Sequence, residues 1–161
     1  MRLHGKNFQY CDAGGSLTAV PGVESEGISV NIEPQFVEKV LSTSPIADEI
    51  IQIGSNISGT GVITGSDLAD LAAQINATES SGDYVLNATP SQPFALTKRD
   101  VEFDVVLPDT ESNSLETWNV TYVVFDGSLD AAYQGGADNA YYLPINWRAT
   151  ADAVLTISQS A

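Results

Sequence analysis

Apolar and polar residues alternate along much of the chain, a pattern that is typical of β-strands with one buried face. The alternation is clearest in three runs: 28–32, 101–105 and 118–124. Four further segments, bordered by turn-forming residues, also favour strands: 46–53, 61–64, 141–149 and 154–157. Pro34 is expected to end the first strand, because proline has no N–H group to donate to a neighbouring strand.

A single helix is predicted at about residues 66–76. Ser66 is a suitable N-cap, and the carboxylates of Asp67 and Asp70 are favourable at the positive end of the helix dipole. Apolar residues at helical spacing give this segment one face to pack: Leu68, Leu71, Ala72 and Ile75. Asn76 is expected to end the helix, because asparagine tolerates the left-handed conformation found at helix C-termini.

The remaining segments predict an arm and loops. Residues 1–27 are rich in glycine and small residues, which predicts an extended arm that adds little to the core. Residues 79–92 predict a long loop with a short strand at 84–86, and 108–116 predict an acidic loop. The sum is a mainly β (α+β) fold, a β-sandwich or barrel-forming sheet of about eight strands with one packed α-helix and long loops. The length suits one domain, 1–161, whose β core spans 28–161.

The charge of the chain limits its function. Its 161 residues include 21 acids and 6 bases, a net charge of −15, whereas proteins that bind nucleic acid through phosphates cluster lysine and arginine. The acidity therefore indicates either high solubility or a functional surface that repels anions. Cys11 is the sole cysteine, so no intrachain disulfide forms. The sequence shows no signal peptide at its start and no apolar span, so synthesis in a cytoplasm without membrane insertion is expected.

The residues needed for catalysis are scarce. The single histidine, His4, lies in the predicted arm, where nothing is expected to hold it as a general base. His4 and Cys11 alone cannot complete a zinc site. The glycine-rich run at 59–65 lacks the lysine of a phosphate-binding loop. Glu102 and Asp104 share a strand face, which is typical of a solvated side. The sequence therefore predicts that the protein is not an enzyme and has no cofactor or metal.

Several segments, taken in order, carry a family resemblance. A strand ending in an acid and a proline (27–34) precedes a Ser-Pro-Ile-Ala turn (44–47), the Ile-rich segment 50–54 and the helix 67–75. The C-terminal third adds the aromatic strand 118–125, and the segment 141–152 with its Leu-Pro, Arg-Ala and Ala-Asp pairs. Together these segments resemble the major tail (tail tube) proteins of long-tailed bacteriophages.

The resemblance implies a structural virion protein, made in the host bacterial cytoplasm and located in the phage tail. Such subunits form hexameric rings that stack into a tube, the conduit for ejection of genome DNA. The implied partners are further copies of the chain, a tape measure protein and tail tip or terminator proteins, and DNA passes without specific binding. The candidate acids lining the lumen are Glu102, Asp104, Asp126 and Asp130. Residues 1–27 and 79–92 are candidates for contacts between stacked rings.

Two alternative functions stay open at this point. The chain could be another virion component, such as a head decoration, head completion or tail terminator protein. It could also be a non-enzymatic carbohydrate or adhesion binding module, with Trp118 and Trp147 as a sugar-stacking platform. Because both tryptophans lie in alternating strands, packing in the core is the favoured prediction for them.

Overall fold

The computed structural model describes residues 4–19, 28–40, 43, 46–47, 49–64, 68–92, 94–107, 114–126 and 142–159. These residues form one helix, α1 (Leu68–Gln74), and nine strands: β1 (His4–Asp12), β2 (Thr18–Ala19), β3 (Ser29–Lys39), β4 (Glu49–Thr64), β5 (Thr78–Ser80), β6 (Asp83–Val85), β7 (Arg99–Leu107), β8 (Ser114–Phe125) and β9 (Tyr142–Gln159). The prediction of a mainly β fold with one short helix is confirmed.

Seven strands form one antiparallel sheet in the order β2-β1-β7-β8-β9-β4-β3, and β5 and β6 form a separate small hairpin. The described strands do not close into a barrel, because β2 and β3 stay at opposite edges of the sheet. The sheet nevertheless curls over its apolar face. Phe8 of β1 and Ile28, just before β3, both lie beside Gly61 of β4, although β1 and β4 are far apart in the strand order.

The core occupies the inside of this curl. Val101, Phe103 and Val105 are fully buried on one face of β7. Val101 and Phe103 are opposite Val120 and Trp118 of β8, and Phe103 also lies beside Trp147 of β9. Helix α1 packs on the same core through Ala73. The side chains that alternate with these residues along the strands are polar and partly exposed. The sheet therefore has a buried apolar face and an outer polar face.

The helix ends where the sequence predicts. Asn76 adopts a φ of 55°, the left-handed conformation that stops a helix, and its side-chain amide donates to the carbonyl of Phe125 at 2.7 Å. At the other end of the helix, Asp70 accepts a hydrogen bond from the hydroxyl of Tyr10 in β1. Ser66 and Asp67 lie outside the described residues. The side chains of Asn76 and Asp70 thus tie the helix to two strands of the sheet.

The expectation that the N-terminal segment adds little to the core is wrong for β1. This strand pairs along β7, and Phe8 is 1% exposed at the centre of the core. The apolar pattern in this strand is short and is interrupted on its N-terminal side by a bulge. Only Phe8 and Tyr10 repeat an apolar residue with period two, because the pairing register shifts between Lys6 and Gln9 and Asn7 adopts a φ of 56°.

The predicted strand ends near proline and glycine were also wrong. Strand β3 continues through Pro34 to Lys39, because β3 is an edge strand and its outer side needs no N–H donor within the described residues. The segments 46–53 and 61–64 contribute to one continuous strand, β4, which pairs with β3. Likewise, the two strands predicted at 141–149 and 154–157 belong to one continuous strand, β9. Tyr141 itself lies outside the described residues.

Candidate assembly surfaces

The outer polar face of the sheet carries two of the predicted lumen acids. Asp104 accepts hydrogen bonds from the Asn7 amide at 2.7 Å and from the Thr117 hydroxyl at 2.9 Å. Glu102 accepts one from the Asn119 amide at 3.2 Å. The donors lie on the flanking strands β1 and β8, so neighbouring strands hold both carboxylates in place on this face. None of these donors is a lysine or an arginine.

The other two predicted lumen acids are placed differently. Asp126, at the end of β8, forms an ion pair with Arg148 of β9, with Nε and Oδ2 3.0 Å apart. It borders a recess of about 320 Å³ between β3, β4 and β9. Asp130 lies outside the described residues. Glu102 and Asp104 therefore share one face of β7, whereas the charge of Asp126 is partly offset by an arginine.

The second surface is a projecting hairpin, which we define as residues 31–39 of β3 and 49–57 of β4. Strand β4 pairs with β9 only from Ser58 to Thr64, so the first half of β4 is paired with β3 alone. All residues at 31–39 and 49–54 are exposed. Six of these exposed residues are large and apolar: Ile32, Phe36, Val37, Ile50, Ile51 and Ile53.

These apolar side chains lie on both faces of the projecting hairpin. Val37 is opposite Ile51, and the next pair along the ladder, Glu38 and Ile50, points to the other face together with Phe36. Phe36 is 57% exposed and Ile50 is 62% exposed. In a strand with one buried and one solvated face, the solvated face would carry polar residues. Both faces of this hairpin instead carry exposed large apolar side chains among polar ones.

A cleft separates the projecting hairpin from the second half of β9. It has a volume of about 930 Å³ and opens where β4 parts from β9, beyond the pair of Ser58 and Arg148. At the same level the pairing of β8 with β9 is interrupted: Thr121 is opposite Val154, whereas Val123 is opposite Ala149. The irregular stretch of β9 at 150–153 is fixed by the ion pair between Lys98 and Asp152, at 2.8 Å. We call this space the β4–β9 cleft.

A smaller cleft of about 440 Å³ lies beside α1. The buried guanidinium of Arg99 forms part of its wall, lies over the ring of Phe125 at 4.9 Å and pairs with Asp12 at 3.6 Å. Burial lowers the pKa of Arg99, and Asp12 acts against this shift. Because the wall also contains the acids Asp12 and Glu79, it offers no net positive charge to an anionic ligand. Arg99 serves to join β7 to the core.

The catalytic and binding candidates from the sequence do not form a site in the described part of the chain. Burial, and then the nearby carboxylate of Asp100, raise the pKa of the Cys11 thiol above 9.0, so little reactive thiolate is present at neutral pH. No three His, Cys, Asp or Glu side chains among the described residues are grouped to bind a metal ion. Trp118 and Trp147 are both buried in the core, which confirms that they pack there and leaves no exposed stacking platform from them.

No protein-family model matches the sequence, and no curated protein has a significantly similar sequence. The likeness to tail tube proteins therefore rests on the sequence segments quoted above.

No helix among the described residues is long and apolar enough to cross a membrane. The one helix described, α1, has seven residues, whereas about 20 are needed to cross a bilayer.

Proposed function

We propose that the chain is a structural subunit of a phage tail tube, which assembles with its own copies into stacked hexameric rings that conduct genome DNA. The observation that carries self-assembly is the projecting hairpin, with large apolar side chains exposed on both faces. Contiguous apolar surface of this kind marks a site of contact with another protein. The resemblance of the sequence to tail tube proteins supports a tube as the product of that contact.

The charge distribution supports other copies of the chain as the partner. Copies with a net charge of −15 repel one another at long range, so contact is favoured where acids are few. The 16 residues of β4 include a single charged side chain, Glu49. Strand β4 is therefore the side of the projecting hairpin where two copies meet with little repulsion, whereas β3 carries Glu33, Glu38 and Lys39.

The outer polar face supports the conduit. Glu102 and Asp104 are held by uncharged donors from neighbouring strands, so no lysine or arginine occupies these contacts. A wall of fixed carboxylates repels the phosphates of DNA, because adhesion of DNA depends on lysine and arginine contacts. This face is the candidate lumen surface of the tube.

Sedimentation velocity of a hairpin variant tests the proposal. Phe36→Thr combined with Ile50→Thr removes one exposed apolar side chain from each of two adjacent strands while keeping residues that favour strands. Both side chains are more than half exposed in the single subunit, so the fold should persist, as judged by circular dichroism. The wild-type protein should sediment as rings or longer assemblies, and the variant as a monomer.

The matched control is Val85→Thr with Leu86→Thr, which removes two comparably exposed apolar side chains near the small β5–β6 hairpin. This control should assemble like the wild type. A wild-type protein that stays monomeric at every concentration would contradict self-assembly. Equal assembly of the hairpin variant and the wild type would show that the projecting hairpin is not the contact. Rings that never stack would favour a terminator or head completion protein.

A further inference from the structure

The cleft beside α1, which we call the α1 cleft, has the size of a ligand pocket. It lies between α1, the β5–β6 hairpin and the segment 94–97 that leads into β7. Its volume of about 440 Å³ falls within the range of about 300–1,000 Å³ that is typical of small-molecule pockets. None of its lining residues belongs to the projecting hairpin or lines the β4–β9 cleft. A ligand in the α1 cleft would therefore use a different surface from the one proposed for self-assembly.

Two exposed aromatic rings line the α1 cleft. Phe94 is 57% exposed and Tyr84 is 36% exposed. Single exposed apolar side chains are common on protein surfaces, but two rings in the wall of one cleft offer apolar faces to the same ligand. A sugar ring has an apolar face formed by its C–H groups, and this face can pack on the apolar body of an aromatic side chain. The two rings are thus suited to a saccharide.

The other walls combine small side chains with hydrogen-bonding ones. Five lining residues are alanines, which leave room for a ligand: Ala69, Ala72, Ala73, Ala77 and Ala95. Thr78 and Thr97 are exposed in the wall, and a hydroxyl group can both donate and accept a hydrogen bond. The carboxylates of Asp12 and Glu79 add acceptors. A ligand with several hydroxyl groups would find partners for them here.

Arg99 adds a buried donor that has no hydrogen-bond partner. This residue is 7% exposed, and its Nε makes no hydrogen bond within the described part of the chain. The paired carboxylate oxygen of Asp12 lies 3.6 Å from Nε, beyond the usual length of a hydrogen bond. Because a buried N–H group without a partner is both rare and costly, an acceptor atom from a ligand would complete the site.

The charges of the α1 cleft favour a neutral ligand. Its charged lining residues are two acids, Asp12 and Glu79, and one base, Arg99. An anion would meet the excess of acid, and a cation would supply no acceptor for the free Nε. A neutral saccharide avoids both difficulties, because its hydroxyl groups can accept from the arginine and donate to the carboxylates.

We propose that the α1 cleft binds a neutral saccharide, with a sugar ring packed on Phe94 and Tyr84 and a hydroxyl oxygen that accepts a hydrogen bond from Arg99. This inference goes beyond the proposed function, which requires no ligand, and it does not depend on self-assembly. It also differs from a platform of Trp118 and Trp147, since both tryptophans are buried in the core.

Saturation-transfer difference NMR tests the proposal on the full chain in any assembly state. The probes are methyl glucoside, methyl galactoside, methyl mannoside and N-acetylglucosamine. At least one of them should receive saturation, most strongly at the C–H protons of the face that packs on the rings. Phe94→Ala should raise the dissociation constant of that sugar about tenfold. Phe94→Tyr, which keeps an aromatic ring, should bind like the wild type.

Leu86→Ala is the matched control, because Leu86 is 54% exposed but does not line the α1 cleft. This control should bind the sugar like the wild type. Absence of saturation transfer to all four sugars would overturn the proposal, as would equal affinity of Phe94→Ala and the wild type. Saturation of the n-butylammonium ion in place of every sugar would assign the cleft to a cation and would also overturn it.

Sedimentation velocity of the same variants separates this inference from the proposed function. Phe94→Ala should assemble like the wild type, because Phe94 lies outside the projecting hairpin. If the wild type stays monomeric but binds a sugar through Phe94, the proposed function fails and the inference stands. If Phe94→Ala loses assembly and keeps its sugar affinity, the ring belongs to a subunit contact and the inference fails.

Discussion

Replacing Gly59 with alanine would force a methyl group into the indole ring of Trp147. A Cβ atom at Gly59 would lie 2.2 Å from Cζ2 and 2.5 Å from Cε2 of Trp147, and 2.8 Å from the carbonyl oxygen of Ser29. Non-bonded carbon atoms prefer separations of about 3.5–4.0 Å, so the ring would have to move by more than about 1 Å. Trp147 is 1% exposed and has little space to move into. Its neighbour Ser29 belongs to the β3–β4 ladder.

The expected loss of stability follows from these contacts. Overpacking of a well-filled core costs about 1–3 kcal/mol, and the clash with both a ring and a backbone oxygen places Gly59→Ala near the upper limit. Alanine also restricts the unfolded chain more than glycine does, which offsets about 0.4–1 kcal/mol of this loss of stability. We therefore expect the free energy of unfolding to fall by about 2 kcal/mol.

Urea unfolding, followed by tryptophan fluorescence and circular dichroism under conditions that keep the protein monomeric, measures this change. The control is Gly54→Ala on the same strand, because nothing lies within 4 Å of a Cβ atom placed there. Gly54→Ala should leave stability unchanged or raise it slightly. If Gly59→Ala proves as stable as Gly54→Ala, Trp147 does not pack against β4, and the account of the core is wrong.

Three further predictions concern charge and reactivity. Hydrogen bonds from Lys98 lower the pKa of Asp152 from 3.8 to about 2, so the pair stabilises the fold above the unfolded pKa, and this stabilisation is lost as the pH falls through about 2. Asp152→Asn should therefore remove this part of the pH dependence of the free energy of unfolding, measured by urea unfolding. A pH dependence equal to that of the wild type would contradict the pairing. Because burial raises the pKa of Cys11, its reaction with a thiol reagent at about pH 8 should be slow in the folded protein and fast in urea, whereas equal rates would refute its placement. Lysine at Glu102 and Asp104 should slow DNA ejection from virions while tubes still form, and loss of tubes would instead assign these side chains to subunit contacts.

The sequence predicted the class of the fold because alternation with period two survives in the strands that build the core. In β7 and β8 one face is buried and the other polar, so the pattern of Val101, Phe103 and Val105 is direct evidence of a strand. The ends of strands were less predictable. Pro34 and Gly59 are ordinarily signs of interruption, but here an edge position tolerates the proline, and the bulk of Trp147 requires the glycine.

The candidate assembly surfaces were only partly visible in the sequence. Glu102 and Asp104 were placed on one strand face, and the structure brings them together there with donors from β1 and β8. The projecting hairpin was not foreseen, because strands β3 and β4 were each expected to be shorter. A signal was present in the two adjacent apolar pairs at 36–37 and 50–51, which place apolar side chains on both faces of one ribbon and so indicate contacts on both sides.

Electron microscopy of the purified protein in negative stain tests the central claim most directly. A tail tube subunit should form rings of six copies and, as concentration rises, hollow tubes of uniform bore built by stacking them. The Phe36→Thr, Ile50→Thr variant prepared in parallel should show neither. Fields of separate, monomer-sized particles from the wild type at all concentrations would contradict the account.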